Sequence, residues 1–280
     1  MRTIKIVTDS TAELTQAIID HYNITVVPLT IHIDGDDYLD AVDISAEEFL
    51  EKMKHSKDLP KSSQPPAGKF KEIYDELGAD GSQVLSIHMT GGMSGTVKSA
   101  ESAASMTDTP VTVIDSRFIS HALAFQVLEA AKLAEQGATM EEIVNRLKVI
   151  RKNTRLFVVV DTLDNLVKGG RIGKGRAMIG SLLSIKPIAS LAGGEYTPVA
   201  KARSYKQVVN YLMNEFTTDS KSQRIVAAGI AQANGFQMAT PLLSEIEKTG
   251  FMDTKVTYTT PVISTHTGPG AIGFMYLLEG

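Results

Sequence analysis

The chain has 280 residues, of which 43% are hydrophobic and 21% are charged, and its formal net charge is -4 at pH 7. These values predict a globular protein of one large or two modest domains. The chain lacks the excess of basic residues that is typical of general nucleic-acid-binding proteins, so that class is excluded. Cysteine is absent, so disulfides, thiolate metal sites and cysteine nucleophiles are excluded as well.

The first half of the sequence alternates predicted strands and helices. Strands are predicted at residues 4–7, 24–33, 83–88 and 111–114, with a hairpin turn at Asp34-Gly35. Three helices are predicted to start at the capping boxes of Ser10, Ser45 and Thr139 and to end near residues 21, 54 and 152. Further helices are predicted at residues 69–77, 95–105 and 122–135. Strands separated by helices favour a mostly parallel sheet flanked by helices.

The second half has a different pattern. A strand is predicted at residues 156–160, followed by a glycine-rich basic segment at 161–176 and an apolar helix at 177–185. A hairpin around Gly193-Gly194, a helix starting at Ser204 and strands at residues 225–230, 256–260 and 272–278 complete the predicted elements. Hairpins among strands favour a mixed sheet. We therefore predict an α/β protein of two domains, an N-terminal domain at residues 1–153 and a C-terminal α+β domain at 154–280.

Several sequence features bear on compartment and cofactors. The apolar start contains Lys5 and is followed by Asp9, and no uninterrupted apolar run is long enough to span a bilayer. We expect a cytoplasmic protein without a signal peptide and without stable membrane insertion. There is no P-loop and no dinucleotide-binding fingerprint, and none of the 6 histidines lies within four residues of another. We expect no metal and no cofactor.

The segment His88-Met89-Thr90-Gly91-Gly92-Met93-Ser94-Gly95-Thr96 lies between a predicted strand and a predicted helix. Paired glycines allow a ligand to approach the backbone closely, and free amides at a helix start attract anions. Ser94 and Thr96 add hydroxyl donors. The pattern predicts either a pocket for a carboxylate or phosphate or a glycine turn with a helix cap, and it favours neither.

Three other segments carry candidate side chains. In Ser62-Ser63-Gln64-Pro65 the proline favours extended geometry, so the serines either donate to the same anion or belong to a solvated loop, the commoner case. His266, in a polar loop that includes Gly268-Pro269-Gly270, either binds an anion or acts in acid–base chemistry, or is more simply bonded to nearby backbone. Arg171, among glycines, either contacts a phosphorylated partner or an anionic headgroup or lies in a solvated loop.

Six motifs, taken in order, resemble those of the DegV family, the bacterial fatty-acid-binding proteins that include subunits of fatty acid kinase. They are Val7-Thr8-Asp9-Ser10-Thr11, Ser62-Ser63-Gln64-Pro65, Ser94-Gly95-Thr96, Asp161-Thr162-Leu163 with Lys168-Gly169-Gly170-Arg171-Ile172, Lys186-Pro187, and His266-Thr267-Gly268-Pro269-Gly270-Ala271. Each motif alone is weak, but the ordered set covers essentially the whole chain and makes the resemblance specific.

The resemblance implies a two-domain protein that buries one long-chain fatty acid, such as palmitate, between its domains. The residues it implies for carboxylate binding are Ser62, Ser94, Gly95 and His266, with Ser63, Thr96 and Arg171 as supporting candidates. The candidates for a tunnel around the acyl tail are Ile172, Met178, Ile179 and Leu182. The family often has threonine at the position of Ser62, and serine keeps the hydroxyl donor.

The resemblance also implies a carrier that performs no chemistry alone. In the kinase system, the family member presents its acyl chain to a separate ATP-dependent kinase, which forms an acyl phosphate. The candidate residues for the surface that meets this partner are Arg171, Arg203 and Lys206.

Two alternatives remain open. Ser94 as nucleophile with His266 as base would make an acyl ester hydrolase, although the local string lacks the final glycine of G-x-S-x-G. The same glycine turn could instead bind phosphate in a kinase or in a module that binds phosphorylated ligands.

Overall fold

The computed structural model describes residues 3–178 and 185–280, which form three β-sheets with helices around and between them. The strands are β1 (Ile4–Asp9), β2 (Thr25–Val27), β3 (Thr30–Ile33), β4 (Asp36–Leu39), β5 (Lys61–Ser63), β6 (Gln83–His88), β7 (Val111–Asp115), β8 (Thr154–Val159), β9 (Lys186–Ser190), β10 (Thr197–Ala202), β11 (Ile225–Ala233), β12 (Thr254–Tyr258) and β13 (Ala271–Leu278). The α-helices are α1 (Gln16–Tyr22), α2 (Ala46–His55), α3 (Ala67–Gly78), α4 (Thr96–Ala104), α5 (Ser120–Glu135), α6 (Met140–Asn153), α7 (Asp164–Lys168), α8 (Tyr205–Ser222), α9 (Phe236–Lys248) and α10 (Pro261–Thr267). A short 3₁₀ helix spans Gly173–Met178.

The first sheet is parallel, with the strand order β2-β1-β6-β7, which confirms the predicted mostly parallel N-terminal sheet. Alternate residues of its strands face opposite sides. Val7 packs with Phe70 and Tyr74 of α3, whereas Ile6 packs in the core that contains Leu123 of α5. Helices therefore cover both faces of this sheet, as the alternation of strands and helices predicts.

A small antiparallel sheet has the order β4-β3-β5. The predicted hairpin turn is confirmed, since Asp34 and Gly35 have φ values of 52° and 90°, as two-residue hairpin turns require. The segment containing Ser62 and Ser63 is a strand rather than a loop, because it pairs with β3. A three-residue strand flanked by prolines carries no local strand pattern, so this pairing is missed by sequence reasoning.

The third sheet has the order β10-β9-β8-β13-β11-β12 and confirms the predicted mixed C-terminal sheet. Strands β11 and β12 are parallel, and the other neighbouring strands are antiparallel. Leu156 and Val158 of β8 face a core shared with the first half of the chain. Phe157 and Val159 face the opposite way, onto α8 and α9. One face of the sheet is thus directed at the N-terminal half.

Helix α5 lies between the first and third sheets, contacting β1 and β6 of one and β8, β11 and β13 of the other. Leu123 and Val127 of this helix are fully buried in a core that includes residues of both halves. Helix α6 ends at Asn153 and β8 begins at Thr154. Because the core crosses this point, the division into two domains there stays a prediction.

The capping box predicted at Ser10 is wrong. Helix α1 begins at Gln16 and is capped by Thr15. The hydroxyl of Ser10 donates to Asp40 instead, and the carboxylate of Glu13 lies beside His121. Partners distant in sequence therefore use the side chains that a local cap would need. The predicted capping boxes at Ser45 and Thr139 are confirmed.

Helices α9 and α10 are absent from the predicted elements. Pro241 lies inside α9 and Pro261 starts α10, and the β-branched residues of α10 favour strands. His266, predicted in a loop, is therefore on a helix. Of the predicted helix at 177–185, residues 177 and 178 belong to the 3₁₀ helix, and 179–184 lie outside the described residues. Within residues 3–178 and 185–280, no helix has the length and apolar character needed to cross a membrane.

Candidate functional site

A cavity lies between the two halves of the molecule, beside α10, and the space free of atoms there is about 600 Å³ including a part open to solvent. Its polar lining includes Ser62, Gln64, Ser94, Arg171, His266 and Thr267. Its apolar lining includes Leu29, Met89, Leu166, Leu191, Val262 and Ile263. The fold thus brings Ser62, Ser94, Arg171 and His266 to one apolar cavity, although they lie far apart in the sequence.

Strand β5 directs Ser62 toward this cavity. The Ser62 hydroxyl is hydrogen-bonded to Nε2 of His266 at 2.7 Å, which joins the small sheet to α10. Ser63, the next residue, points to the other side of the strand, where its hydroxyl lies 3.0 Å from Nε2 of His32. Ser63 is exposed and does not line the cavity, so the structure does not bring this supporting candidate to the site.

The turn after β6 presents Ser94. Its hydroxyl lies 2.8 Å from Oγ1 of Thr96 and accepts a hydrogen bond from the Thr96 amide, so the fully buried Thr96 orients Ser94 rather than lining the cavity. The amide of Gly95 donates no hydrogen bond within the described part of the chain. A Cβ on Gly95 would lie 2.4 Å from Nε2 of Gln64, so glycine allows the two loops to approach.

Arg171 brings a positive charge to the same place. Its Nε donates to the carbonyl of Met93 at 3.1 Å, and one terminal nitrogen donates to the carbonyl of Gly169 at 2.6 Å. Burial lowers the pKa of Arg171, but a guanidinium stays charged at neutral pH. Among residues 3–178 and 185–280 no carboxylate forms an ion pair with it. The half-buried charge is therefore available to an anion.

His266 is neutral at physiological pH. Burial, and then the positive charge of Arg171, lower the pKa of His266 to about 4. Its Nδ1 has no hydrogen-bond partner in the described part of the molecule, and it faces Gly169, where an added Cβ would lie 2.4 Å from this nitrogen. A ligand oxygen that approaches Nε2 therefore meets a neutral ring and competes with the Ser62 hydroxyl for this nitrogen.

The buried carboxyl group of Asp40 holds the start of α10. Its Oδ1 accepts from the Val262 amide at 2.9 Å, and its Oδ2 accepts from the Ser10 hydroxyl at 2.7 Å. The Ser10 hydroxyl in turn accepts from the amide of Leu29. Burial raises the pKa of Asp40 to about 7, against the opposing effect of these hydrogen bonds. Asp40 thereby ties two lining segments of the cavity together.

The hydrolase alternative lacks the contacts it needs. Nε2 of His266 is bonded to Ser62, while the Ser94 hydroxyl is bonded to Thr96. No carboxylate is bonded to His266 among the described residues, so the orienting acid of a catalytic triad is missing there. That same part of the chain contains no cluster of three or more histidine or acidic residues suited to a metal ion.

The other predicted site residues have mixed positions. Ile172 is 2% exposed and packs in the core beside Tyr196, and it is not part of the cavity lining. Arg203 and Lys206 are exposed near the start of α8. Ile179, Leu182 and the side chain of Met178 lie outside the described part, so their predicted contact with the tail stays a prediction.

Tyr196 lines the cavity although sequence reasoning did not select it. It is 1% exposed, burial raises the pKa of its hydroxyl, and this hydroxyl has no partner among the described residues. Its place after the Gly193-Gly194 turn was the available signal, because this turn packs against the glycine segment after β6, where the Thr90 hydroxyl donates to the Gly194 carbonyl at 2.8 Å. Leu29 and Leu191 carried no signal beyond their apolar character.

Comparison with known proteins shows similarity over the full length. A family model described as "Uncharacterised protein, DegV family" matches residues 3–279. A DegV domain-containing protein of Listeria monocytogenes is 44% identical over 281 residues, covering 100% of both chains. A DegV fatty acid binding protein of Bacillus subtilis has 32% identity and a TM-score of 0.91, covering 100% of both chains. A fatty-acid-binding DegV family protein of Thermus thermophilus has 31% identity and a TM-score of 0.93, covering 99% of this chain and 100% of that one.

Proposed function

Because the chain belongs to the DegV family, we propose that it binds one long-chain fatty acid in the cavity between its two halves. The observation that carries this proposal is the charge of Arg171, which lies half-buried at an apolar cavity and lacks a carboxylate partner in the described residues. A ligand carboxylate supplies that negative charge. Solved relatives named as fatty-acid-binding proteins support the same ligand class.

The polar residues of the cavity orient the ligand. We assign its carboxylate to the hydroxyls of Ser62 and Ser94, the free Gly95 amide and Nε2 of His266, with the charge of Arg171 nearby. Each hydrogen bond to a charged group contributes about 1.5–3 kcal/mol. Thr96 acts by orienting Ser94.

The acyl tail supplies most of the affinity. Burying roughly fourteen methylenes at about 0.8 kcal/mol each gives on the order of 11 kcal/mol before the cost of immobilising the ligand. Palmitate provides a tail of this length. The polar cluster therefore decides which end of the acid faces outward more than whether the acid binds.

The chain acts as a carrier subunit rather than as an enzyme. In this proposal a separate ATP-dependent kinase phosphorylates the presented carboxylate to an acyl phosphate, and we expect both proteins in the cytoplasm. Arg171, Arg203 and Lys206 remain our candidates for the surface that meets the kinase. Arg203 and Lys206 are exposed, as such a surface requires.

Native mass spectrometry of the purified chain tests the ligand. We expect a mass increase equal to one long-chain fatty acid, released on denaturation and identified by lipid extraction. Delipidated protein should also take up added palmitate at one molecule per chain. A protein that neither carries nor accepts any long-chain fatty acid contradicts the proposal, and turnover of a chromogenic acyl ester that Ser94→Ala abolishes would favour the hydrolase instead.

The division of roles has its own test. With a fatty acid kinase present, Ser94→Ala and His266→Ala should slow phosphorylation of the bound acid more than they weaken its retention, because the tail holds the ligand. If both variants simply lose the lipid, the polar cluster does more than orient the carboxylate.

A further inference from the structure

A second, smaller space, about 320 Å³ including a part open to solvent, adjoins the cavity toward strands β11 and β13. It shares Ile119, Val158, Ile263 and Thr267 with the cavity described above. Four common lining residues make it the natural continuation of a tail that enters beside His266. What lines this inner end therefore meets the distal half of the acyl chain.

The inner space exists because the strands facing it carry small side chains. Ala231 of β11 and Ala271 and Gly273 of β13 form this part of its lining. A Cβ placed on Gly273 would lie 3.3 Å from Cε of Met275, 3.8 Å from Cδ1 of Leu156 and 4.0 Å from Cβ of Ala231. The absence of a side chain at Gly273 therefore keeps this part of the wall shallow.

Two residues that line this space carry buried hydroxyl groups without partners. Ser120 is 3% exposed and Thr259 is 5% exposed, both line the inner space, and the hydroxyl oxygen of each has no hydrogen bond within the described residues. Their backbones are fixed, since the Ser120 amide donates to Thr11 at 2.8 Å and the Thr259 amide donates to Gln232 at 2.9 Å. A buried hydroxyl without a hydrogen-bond partner is unfavourable, so a ligand oxygen that bonds to these hydroxyls would stabilise this end of the cavity.

We propose that the inner end of the cavity binds a hydroxyl group carried on the distal half of a long-chain fatty acid. This inference rests on the proposed function. An aliphatic hydroxyl both donates and accepts, so one such group can pair with the hydroxyl of Ser120 or with that of Thr259. A plain methylene chain offers neither and leaves both side chains unpaired. The same apolar walls bind the rest of either chain.

Competition binding to delipidated protein tests the preference. The probes are omega-hydroxypalmitic acid and octadecanoic acid hydroxylated about two-thirds of the way along its chain, each against the unsubstituted acid. We expect at least one of them to bind roughly three- to tenfold more tightly, the gain of a neutral hydrogen bond. Palmitic acid with its hydroxyl next to the carboxyl group should show no such gain, because that hydroxyl cannot reach the inner end.

Paired variants locate the effect. Ser120→Ala with Thr259→Val removes both hydroxyls at nearly constant volume, and we expect it to abolish or reverse the preference while palmitate binding is kept or improved. Thr8→Val is the matched control, because the Thr8 hydroxyl is equally buried and unpartnered in the described part but lines neither space.

Two results would overturn the inference. One is equal or weaker binding of both distally hydroxylated acids by the unaltered protein. The other is a preference that survives in the double variant. Either result leaves the proposed function intact provided palmitate binds, whereas a protein that binds no acid at all fails the proposed function itself.

Discussion

His88 and His266 are each hydrogen-bonded to a serine hydroxyl, but they differ in whether both ring nitrogens have a hydrogen-bond partner. His88 is fully buried, with Ser86 at 2.7 Å from its Nε2 and Asp9 at 3.1 Å from its Nδ1. His266 meets Ser62 through Nε2, and its Nδ1 has no partner in the described residues. Of these two histidines, His266 lines the cavity described above.

The comparison separates a structural polar network from a binding site. Tyr74 donates to Ser86, and Thr11 and the Met89 amide donate to Asp9, so the His88 network uses nearly all its polar atoms internally. The His266 cluster instead keeps the charge of Arg171 at the cavity without a carboxylate partner in the described residues, while the unpaired Nδ1 of His266 faces Gly169. Serine, histidine and aspartate in contact do not by themselves indicate chemistry, whereas unpaired polar atoms at a cavity do indicate a ligand.

The largest expected difference is in stability. His88→Leu should lower the free energy of unfolding by about 3–5 kcal/mol, because it leaves the buried carboxylate of Asp9 without its ring partner. His266→Leu in ligand-free protein should cost about 1 kcal/mol, the worth of one hydrogen bond. Urea unfolding of both variants checks this, and equal losses would remove the distinction.

Asp40, which neighbours Asp9 and holds the helix of His266, sharpens the comparison through pH. Burial raises the pKa of Asp40 from 3.8 to about 7, so between pH 4 and 7 the unfolded chain releases this proton while the folded chain keeps it. Its contribution to stability should fall as pH rises through that range, by at most about 4 kcal/mol. Asp40→Asn should abolish this slope.

His266 should contribute the opposite slope. Its pKa is lowered from 6.5 to about 4 in the folded chain. As pH falls through that range, this histidine is protonated in the unfolded chain but not in the folded chain, so the free energy of unfolding falls. Between pH 4 and 7, the free energy of unfolding of His266→Ala should therefore fall more steeply with rising pH than that of the unaltered protein. The free energy of unfolding of Asp40→Asn should rise more steeply over the same range. Parallel profiles for all three would contradict both assignments.

A smaller effect is expected on the ligand itself. Ser62→Ala should weaken palmitate binding by about 1.5–3 kcal/mol, roughly tenfold to a hundredfold, since it removes a donor to a charged carboxylate. Ser63→Ala is the matched control on the outer side of the same strand and should leave the affinity unchanged. Isothermal titration decides between them, and similar losses would place the carboxylate elsewhere.

The smallest expected effect concerns the charge of Arg171. Because that charge helps to lower the pKa of His266, Arg171→Gln should raise the pKa of the ring toward its ordinary value without reaching it, since burial is the larger cause. Titration of the ring proton by NMR in ligand-free protein measures the change. An unchanged pKa would mean that the two groups do not interact.

Local patterns were sufficient for most of the fold. The capping boxes at Ser45 and Thr139, the hairpin at Asp34-Gly35 and the parallel and mixed sheets depend on neighbouring residues or on strand order, and all are observed. The box at Ser10 fails because its hydroxyl serves Asp40, thirty positions away in the sequence. Capping patterns consider only residues close in sequence, so they predict the wrong hydrogen bond for a side chain whose partner lies far away in the sequence.

The site was predictable in its polar part only. Ser94 and Arg171 lie among glycines, His266 precedes Gly268-Pro269-Gly270, and Ser62 belongs to the Ser-Gln-Pro motif, which is why these four residues could be selected. The apolar walls could not be, because a leucine at a cavity has the same sequence signature as a leucine in the core. Ile172 illustrates this, since it was a candidate for the tail tunnel but is packed in the core.

The position of β13 in the third sheet determines when this sheet can be completed during synthesis of the chain. Strands β8 and β11 both pair with β13 and not with each other, so the centre of the sheet is missing until the ribosome has released residue 278. Until then the nascent chain exposes two unpaired strand edges, which attract chaperones or other chains. Under the proposed function, lipid loading should therefore follow the synthesis of β13.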